Sequence, residues 1–246
     1  MSGPLAGRTV LVTRPREEAD ELLGWLRDLD AEAVAAPAIR LEPAEEGRLE
    51  EAVRGAEEGA FAWVAFTSAT GVRAWFELAG RLRLGPPRAR IAAVGTGTAE
   101  ALRSRGVDPD LVPERFTTAA LGEAFPAGTG RVLLPRADLA SHELEGSLTA
   151  KGWIPVRVDA YRIVPDGRLA AAVAELLADH TVDAVTFTSA SAVEAFAGAT
   201  PSRPPAVCIG PVTADAARDA GFQVAAEADP HTIEGLVGAV VRAIGR

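Results

Sequence analysis

The sequence predicts an α/β protein built from two similar lobes with parallel sheets. Short apolar runs alternate with amphipathic stretches, a pattern typical of βαβ units whose strands form parallel sheets covered on both faces. Several blocks of the first half also recur in the second half in the same order. The 246 residues suffice for one large or two compact domains, and 48% apolar with 24% charged residues exclude a disordered chain.

The repeat is visible as matched segments at nearly constant offsets. Residues 8–43 match 130–165 at an offset of 122. Two shorter blocks follow at offsets of 121 and 115: 63–69 with 184–190, and 94–99 with 209–214. The last offset also pairs Thr117 with Thr232 and Leu121 with Leu236. A solenoid has units of about 20 to 50 residues, so this longer period indicates a duplicated assembly of strands and helices.

In the first half, each block is read as a strand followed by a helix. The predicted pairs are strand 9–13 with helix 17–29, strand 61–66 with helix 69–78, and strand 91–94 with helix 96–104. The first helix has one apolar stripe and acidic residues at its start, where the helix dipole favours them. Ser68 is a natural N-cap for the second helix, and Gly106 ends the third. The proline-bearing stretches near 86–87, 126 and 204–205 are expected to be loops.

Charge and cysteine content narrow the function. A net charge of −9 and a pI near 5.0 argue against nucleic acid or anionic lipid as partners. Cys208 is the only cysteine, so disulfides and cysteine-based zinc sites are excluded. The sequence has no signal-peptide pattern at its start and no apolar run of about 18 residues. We therefore expect a cytoplasmic protein that does not bind membranes.

Several common catalytic motifs do not occur in the sequence. It has no P-loop, no H-E-x-x-H and no G-x-S-x-G motif. His142, His180 and His231 are far apart in the sequence and are expected to be surface residues rather than metal ligands. We expect neither a metal nor an organic cofactor.

The turn GTGTAE at 95–100 partly matches a dinucleotide-binding fingerprint, because glycines there would let a pyrophosphate approach a helix N-terminus. Glu100 occupies the position that needs glycine or alanine, and the repeat copy has Val212 in place of the second glycine. Both copies keep only G-x-x-T-A. A tight turn from strand to helix is the preferred interpretation, and a nucleotide-dependent oxidoreductase is an alternative.

Four strand-to-helix turns are the more informative feature. In an open α/β sheet such turns lie at the carboxyl edge, where ligands bind to free N–H groups at helix N-termini. An acidic protein could hold a substrate with several carboxylates there, between two facing lobes. The alternative is that the hydroxyl groups act only as N-caps. The candidate substrate-binding residues are Thr67, Ser68, Ala69, Gly95, Thr96, Thr188, Ser189, Ala190, Ser191, Gly210, Pro211 and Thr213.

Two arginines and one tyrosine complete the candidate site. Arg14 and Arg136 are predicted just past equivalent strands, where each could clamp a carboxylate or pair with an acid such as Glu17 or Asp138. Tyr161 is the only tyrosine in the chain. Its phenol could donate a proton to a leaving oxygen, or its ring could serve packing alone.

These blocks together resemble the uroporphyrinogen-III synthase family. The matching segments are LVTRP at 11–15, FTSA at 66–69 followed by GV at 71–72, AVG at 93–95 with TA at 98–99, Tyr161, FTSAS at 187–191, IGP at 209–211 with TA at 213–214, and ADPHT at 228–232. The resemblance implies two Rossmann-like, flavodoxin-like lobes joined by a two-stranded β ladder made from 38–41 and 160–163. Residues 1–38 and 166–246 would form one lobe, and residues 39–165 the other.

The resemblance also implies a function. The family consists of cofactor-free lyases that cyclise hydroxymethylbilane, a linear tetrapyrrole, with inversion of its terminal ring. Departure of the hydroxyl group, assisted by Tyr161, would leave an azafulvenium cation that closes through a spiro intermediate, while lobe closure excludes water. We expect a monomer that receives its substrate transiently from hydroxymethylbilane synthase. A hinged binding protein without catalysis is the alternative.

Overall fold

The computed structural model describes residues 3–179 and 181–245, so the prediction for His180 lies outside the described residues. Strands and helices largely alternate along this part of the chain. They are β1 Thr9–Val12, α1 Arg16–Asp28, β2 Glu32–Ala35, β3 Ile39–Pro43, α2 Glu46–Glu57, β4 Trp63–Phe66, α3 Ala69–Leu82, β5 Arg90–Ala93, α4 Thr96–Arg103, α5 Thr118–Ala124, β6 Arg131–Ala137, α6 Glu143–Ala150, β7 Ile154–Pro165, α7 Leu169–Asp179, β8 Ala184–Phe187, α8 Ala190–Ala199, β9 Ala206–Cys208, α9 Pro211–Asp219, β10 Val224–Glu227 and α10 Ile233–Ile244. Within the described ranges, no helix is both long and apolar enough to cross a membrane.

The chain divides into two compact units. The first unit is Met1–Leu41 with Val164–Arg246, and the second unit is Glu42–Ile163. One five-stranded sheet has the order β10-β9-β8-β1-β2, and the other has the order β3-β7-β6-β4-β5. The strand pairs whose register is defined are all parallel, which confirms the predicted α/β class with two parallel sheets.

Equivalent strands pair in the same register within each of the two sheets when residues are matched through the repeat. In the first unit Val10 pairs with Ala184, and in the second unit their repeat counterparts Val132 and Trp63 pair in the same way. The other strand pairs behave alike. An isolated bridge between Ala92 and Leu111 also reproduces the β9–β10 pairing, so the second unit keeps a remnant of the strand that corresponds to β10. The duplication seen in the sequence is therefore a duplication of the whole sheet.

Each unit combines parts of both repeats. The first unit takes β1, α1 and β2 from the first repeat and α7 to α10 from the second. The second unit takes α2 to α5 from the first repeat and β6, α6 and most of β7 from the second. Counted along the chain within the first unit, the strands β2-β1-β8-β9-β10 have the order 2-1-3-4-5 of flavodoxin-like folds. In such folds ligands bind at the carboxyl edge of the sheet, where the strand order reverses.

Two segments were predicted to form a β ladder, and they lie in neighbouring strands. Residues 39–43 form β3, and β3 lies beside β7 in the second sheet. The ladder is continuous with that sheet, because β7 runs unbroken for 12 residues from its pairing with β6 to Pro165. The division between the two units falls within both strands.

Parallel strands need cover on both faces, and the burial pattern shows it. All four residues of β1, β4 and β8 are buried. In the second unit, one face of the sheet carries an apolar cluster in which the rings of Phe66 from β4 and Trp75 from α3 meet edge to face, with their centroids 5.8 Å apart. The opposite face carries a second apolar cluster. These two layers hold the carboxyl ends of the strands in place, where the candidate site lies.

The N-caps explain where several helices begin. The Ser68 hydroxyl accepts a hydrogen bond from the Gly71 N–H at 3.0 Å, which confirms the predicted cap. Thr117 and Thr232, paired by the repeat, cap α5 and α10 in the same way. α3 continues beyond its predicted end because Leu82 still packs on the apolar cluster, and Arg83 ends the helix at φ 56°. Phe61 packs in the core but precedes β4.

Candidate functional site

Ser68 and Tyr161 meet at the carboxyl edge of the second sheet. Their oxygen atoms, Ser68 Oγ and Tyr161 Oη, lie 3.1 Å apart, and either can be the donor. Ser68 is already held in place by its N-capping bond to Gly71, so the phenol is held at the start of α3. Both side chains are only partly buried, which leaves this pair accessible at the edge of the sheet.

The orientation of Tyr161 depends on an irregularity in β7. Arg136 pairs with Asp159, and the next residue of β6, Ala137, pairs with Tyr161, so one residue of β7 is left over. Such a bulge changes which face of the sheet the following side chains occupy. Tyr161 accordingly packs against the same apolar cluster as Val158. In a regular strand its ring would lie on the opposite face, away from Ser68.

Gly95 forms the second turn at this edge, and an aromatic ring covers it. Gly95 is the N-cap of α4 and is buried. A Cβ atom placed there would lie 2.8 Å from Phe116 Cβ and 3.0 Å from Cγ, so only glycine fits beneath this residue. Phe116 is nevertheless 50% exposed. Thr96, the first residue of α4, is also exposed, whereas Thr98 is buried.

Arg136 lies within β6, so the prediction that it follows the strand is wrong. Pairing with β7 continues through the bulge to Ala137 and carries Arg136 into the sheet, where it is 3% exposed. One terminal nitrogen, Nη1, donates to the Ser141 carbonyl at 2.6 Å and to Glu145 Oε2 at 2.9 Å. Burial lowers the pKa of Arg136, while Glu145 acts in the opposite direction.

Asp138 is not the ion-pair partner expected for Arg136, because its carboxylate serves the loop after β6. Asp138 Oδ1 accepts hydrogen bonds from the N–H groups of Ile163 and Leu139, both at 3.0 Å. Its own N–H donates to the Tyr161 carbonyl at 3.2 Å. This loop is therefore attached to β7 on both sides of Arg162, beside the tyrosine.

The first unit has equivalent turns at the carboxyl edge of its own sheet. Ser189 caps α8 by accepting from the Ala192 N–H at 3.2 Å, and its hydroxyl lies 3.1 Å from the Ser191 hydroxyl. Gly210 is the N-cap of α9, and Pro211 opens that helix. Thr213 is 5% exposed, so its side chain belongs to the packing beneath the turn. The predicted residues Thr67, Ala69, Thr188 and Ala190 are partly buried at the corresponding turns of the two units.

Arg14 lies beyond β1, as predicted, and pairs with an acid one turn along α1. The acid is Glu18 rather than Glu17, at 3.1 Å, and it lies in the first turn of α1. The Arg14 side chain is 17% exposed.

The ring of His231 lies over Gly210, with its Cγ 3.4 Å from the position that a Cβ would occupy. His231 is thus the repeat counterpart of Phe116 in structure as well as in sequence.

Three features of the site did not follow from sequence reasoning. They are the rings of Phe116 and His231 over glycines, and the choice of Glu145 as partner for Arg136. The offset of 115 matches Phe116 with His231 and Gly95 with Gly210, so the repeat contained a signal for the first two. Nothing local indicated Glu145, because it lies nine residues away across a loop.

The second unit also contains a cleft of about 860 Å³ outside the predicted site residues. Acidic and basic side chains both line the cleft. Its lining residues are Ala44, Glu45, Arg48, Asp138, His142, Arg157, Val158, Asp159 and Arg162.

The described residues hold no cluster of three or more side chains suited to a metal ion. Burial raises the pKa of the Cys208 thiol to about 12, so it is protonated at neutral pH and a poor nucleophile.

Comparison with known proteins identifies the family. The HEM4 family, described as Uroporphyrinogen-III synthase HemD, matches residues 20–238. The chain belongs to this family. It is 32% identical over 248 residues to the porphyrin biosynthesis protein HemD of Ruminiclostridium josui, and 28% identical over 259 residues to the uroporphyrinogen-III synthase of Synechococcus elongatus. Each alignment covers 96% of the chain, but it spans 49% of the first relative and 96% of the second.

Solved structures of the family share the fold. A mutant uroporphyrinogen III synthase from Thermus thermophilus matches with a TM-score of 0.71 at 24% identity, over 96% of this chain and 98% of that one. The enzyme from Helicobacter pylori matches with a TM-score of 0.64 at 16% identity, over 95% and 98% of the two chains. The family and fold predicted from the sequence are confirmed, and the predicted enzyme class, a cyclising lyase of porphyrin biosynthesis, agrees with them.

Proposed function

We propose that the chain converts hydroxymethylbilane to uroporphyrinogen III, with Tyr161 as the catalytic residue. The observation that carries this proposal is the Tyr161–Ser68 hydrogen bond at the carboxyl edge of the second sheet, in a member of the uroporphyrinogen-III synthase family. We further propose the domain division at residues 1–38 with 166–246 and 39–165, and a monomer acting in the cytoplasm.

The chemistry begins with loss of the substrate hydroxyl group. The Tyr161 phenol donates its proton to the departing oxygen, which leaves as water and generates the azafulvenium cation. The Ser68 hydroxyl then donates to the phenolate oxygen, because a serine can accept from Gly71 and donate its own proton at the same time. The substituted carbon of the terminal pyrrole attacks the cation and forms the spiro intermediate. The bond from that carbon to its original methylene bridge then breaks, and the free α-carbon of the same ring attacks the methylene to close the macrocycle with the ring inverted. This α-carbon loses its proton, which returns to the Tyr161 phenolate.

Most of the catalytic effect comes from positioning, since the cation forms readily and closes without inversion when it is free in water. Each unit offers backbone N–H groups that suit substrate carboxylates, because helix dipoles favour negative charge at a helix start. These groups lie at the starts of α3 and α4 in the second unit and of α8 and α9 in the first. Arg14 supplies a partly accessible guanidinium at the edge of the first sheet. Arg136 acts beneath the second edge, where its burial makes it a support for the loop after β6.

The test is to incubate the protein with hydroxymethylbilane and separate the type III and type I product isomers. We expect excess type III product from the unaltered chain. Tyr161→Phe keeps the ring but removes the donor, and we expect it to slow the reaction by about 10- to 100-fold. Type I product alone from the unaltered chain would reject the function in favour of a binding protein.

Melting temperatures separate the catalytic from the packing role of Tyr161. If the ring serves packing alone, Tyr161→Phe retains the full rate while Tyr161→Ala loses stability, by up to about 3 kcal/mol because the ring is only partly buried. A Phe variant with an unchanged rate would remove Tyr161 from the catalytic machinery without rejecting the overall reaction.

A further inference from the structure

A half-exposed aromatic ring lies beside the proposed site without a role in it. Phe116 is 50% exposed, although it is large and apolar. It precedes Thr117, the N-cap of α5, and lies directly over Gly95, the N-cap of α4. The ring therefore stands at the carboxyl edge of the second sheet, the edge that carries Ser68 and Tyr161.

The position of the ring is held by the backbone around it. The Thr117 hydroxyl accepts from the Ala120 N–H at 3.1 Å, and the Thr117 N–H donates to the Arg115 carbonyl at 2.9 Å. On its inner side, the contact with Gly95 leaves no space for even a methyl group. One side of Phe116 is thus fixed against the turn, and its other side is exposed.

Local helix stability does not explain this arrangement. A hydrophobic residue before an N-cap can pack on the fourth helical residue, here Leu121, but such a staple accounts for the buried part of a side chain only. The repeat supplies a second argument. His231 occupies the same position over Gly210 and is also exposed. What the two positions have in common is a flat ring rather than apolar bulk.

We infer that Phe116 contacts a pyrrole ring of the substrate and helps to select its bound orientation. This inference rests on the proposed function, in which the substrate presents four flat, electron-rich rings together with its carboxylates. Aromatic rings pack on one another in offset or edge-to-face geometry and gain more than burial alone provides. A phenyl group beside the start of α4 meets a pyrrole ring whose carboxylate lies at the helix N-terminus.

The test measures KM, kcat and the product isomer ratio for Phe116→Ala, Phe116→Leu and Phe116→Tyr. We expect KM to rise about threefold to tenfold in the Ala and Leu variants, with more type I product, because neither side chain is aromatic. The Tyr variant should stay within about twofold of the unaltered enzyme. Leu and Tyr keep most of the bulk over Gly95, so they remain informative if the Ala variant fails to fold.

Ile154→Ala is the matched control. Ile154 is another large apolar residue of the second unit, 60% exposed, but it begins β7 and therefore lies at the amino edge of the sheet. The Ile154→Ala variant should keep the KM of the unaltered enzyme. An unchanged KM in the folded Phe116 variants, with type III product still formed, overturns this inference alone. If the unaltered chain forms no type III product, the proposed function fails and the inference fails with it.

Discussion

The two units have the same strand register but differ where their central strands end. β1 stops at Val12, so Arg14 lies in the following turn and pairs with Glu18. β6, its counterpart, continues to Ala137 and takes Arg136 into the sheet. One sequence position thus holds a partly accessible arginine in one unit and a buried one in the other. The repeat preserves the scaffold, while the length of the neighbouring strand decides what each arginine can do.

A second difference lies beside the capped turns. Ser68 bonds to Tyr161, whereas its counterpart Ser189 bonds to Ser191. The counterpart of Tyr161 in the first unit is Ile39, which cannot form such a bond. The caps themselves are alike, since both serine hydroxyls accept from a helical N–H. The proposed chemistry is therefore concentrated in the second unit, on turns that both units share.

The arginine comparison predicts the largest effect. Arg136→Met leaves the Glu145 carboxylate, 14% exposed, with the Arg157 guanidinium at 3.6 Å in place of its closest cation, so the free energy of unfolding should fall by about 3 kcal/mol. Arg14→Met breaks a more accessible pair and should cost about 1 kcal/mol. Urea denaturation measures both variants. Adding Glu145→Leu to Arg136→Met should recover much of the loss, and equal losses in the two single variants would contradict the comparison.

The starts of α5 and α10 predict the next effect. Gly235 in α10 corresponds to Ala120 in α5, yet a Cβ at Gly235 would overlap the Pro230 carbonyl oxygen. Gly235→Ala should therefore destabilise the protein by about 1 to 3 kcal/mol. Ala120→Gly, the matched change in the opposite direction, should cost about 1 kcal/mol or less. Thermal unfolding compares them, and a neutral Gly235→Ala variant would show that this helix start can shift.

The two serine caps predict the smallest difference in stability and a clear difference in product. Ser68→Leu and Ser189→Leu each remove one capping bond, so each should lose about 0.5 to 2 kcal/mol. Ser68→Leu also removes the partner of Tyr161, so it should form more type I product than Ser189→Leu does. The ratio of type I to type III product is measured for both variants at a temperature where both are folded. Identical ratios would remove the functional distinction between the two turns.

Much of the fold could be predicted because its signals are local or repeated. The caps Ser68, Thr117 and Thr232 mark helix starts, and short apolar runs mark the buried strands. The repeat offsets matched whole strands correctly, because each pair of matched blocks folds into the same part of a sheet. The assignment of the first strand and helix to the unit that contains the end of the chain came from resemblance to the family, since periodicity does not specify which strands pair.

By itself, the sequence determined the element types, the duplication and the set of turns from which a site could be built, because each of these depends on residues close together in the chain or on a constant offset. Only the tertiary structure decided how those parts are used. The bulge in β7 turned Tyr161 towards Ser68, continued pairing buried Arg136, and the packing over Gly95 held Phe116 at the edge. Each of these outcomes depends on contacts between distant residues, whose geometry no local pattern encodes.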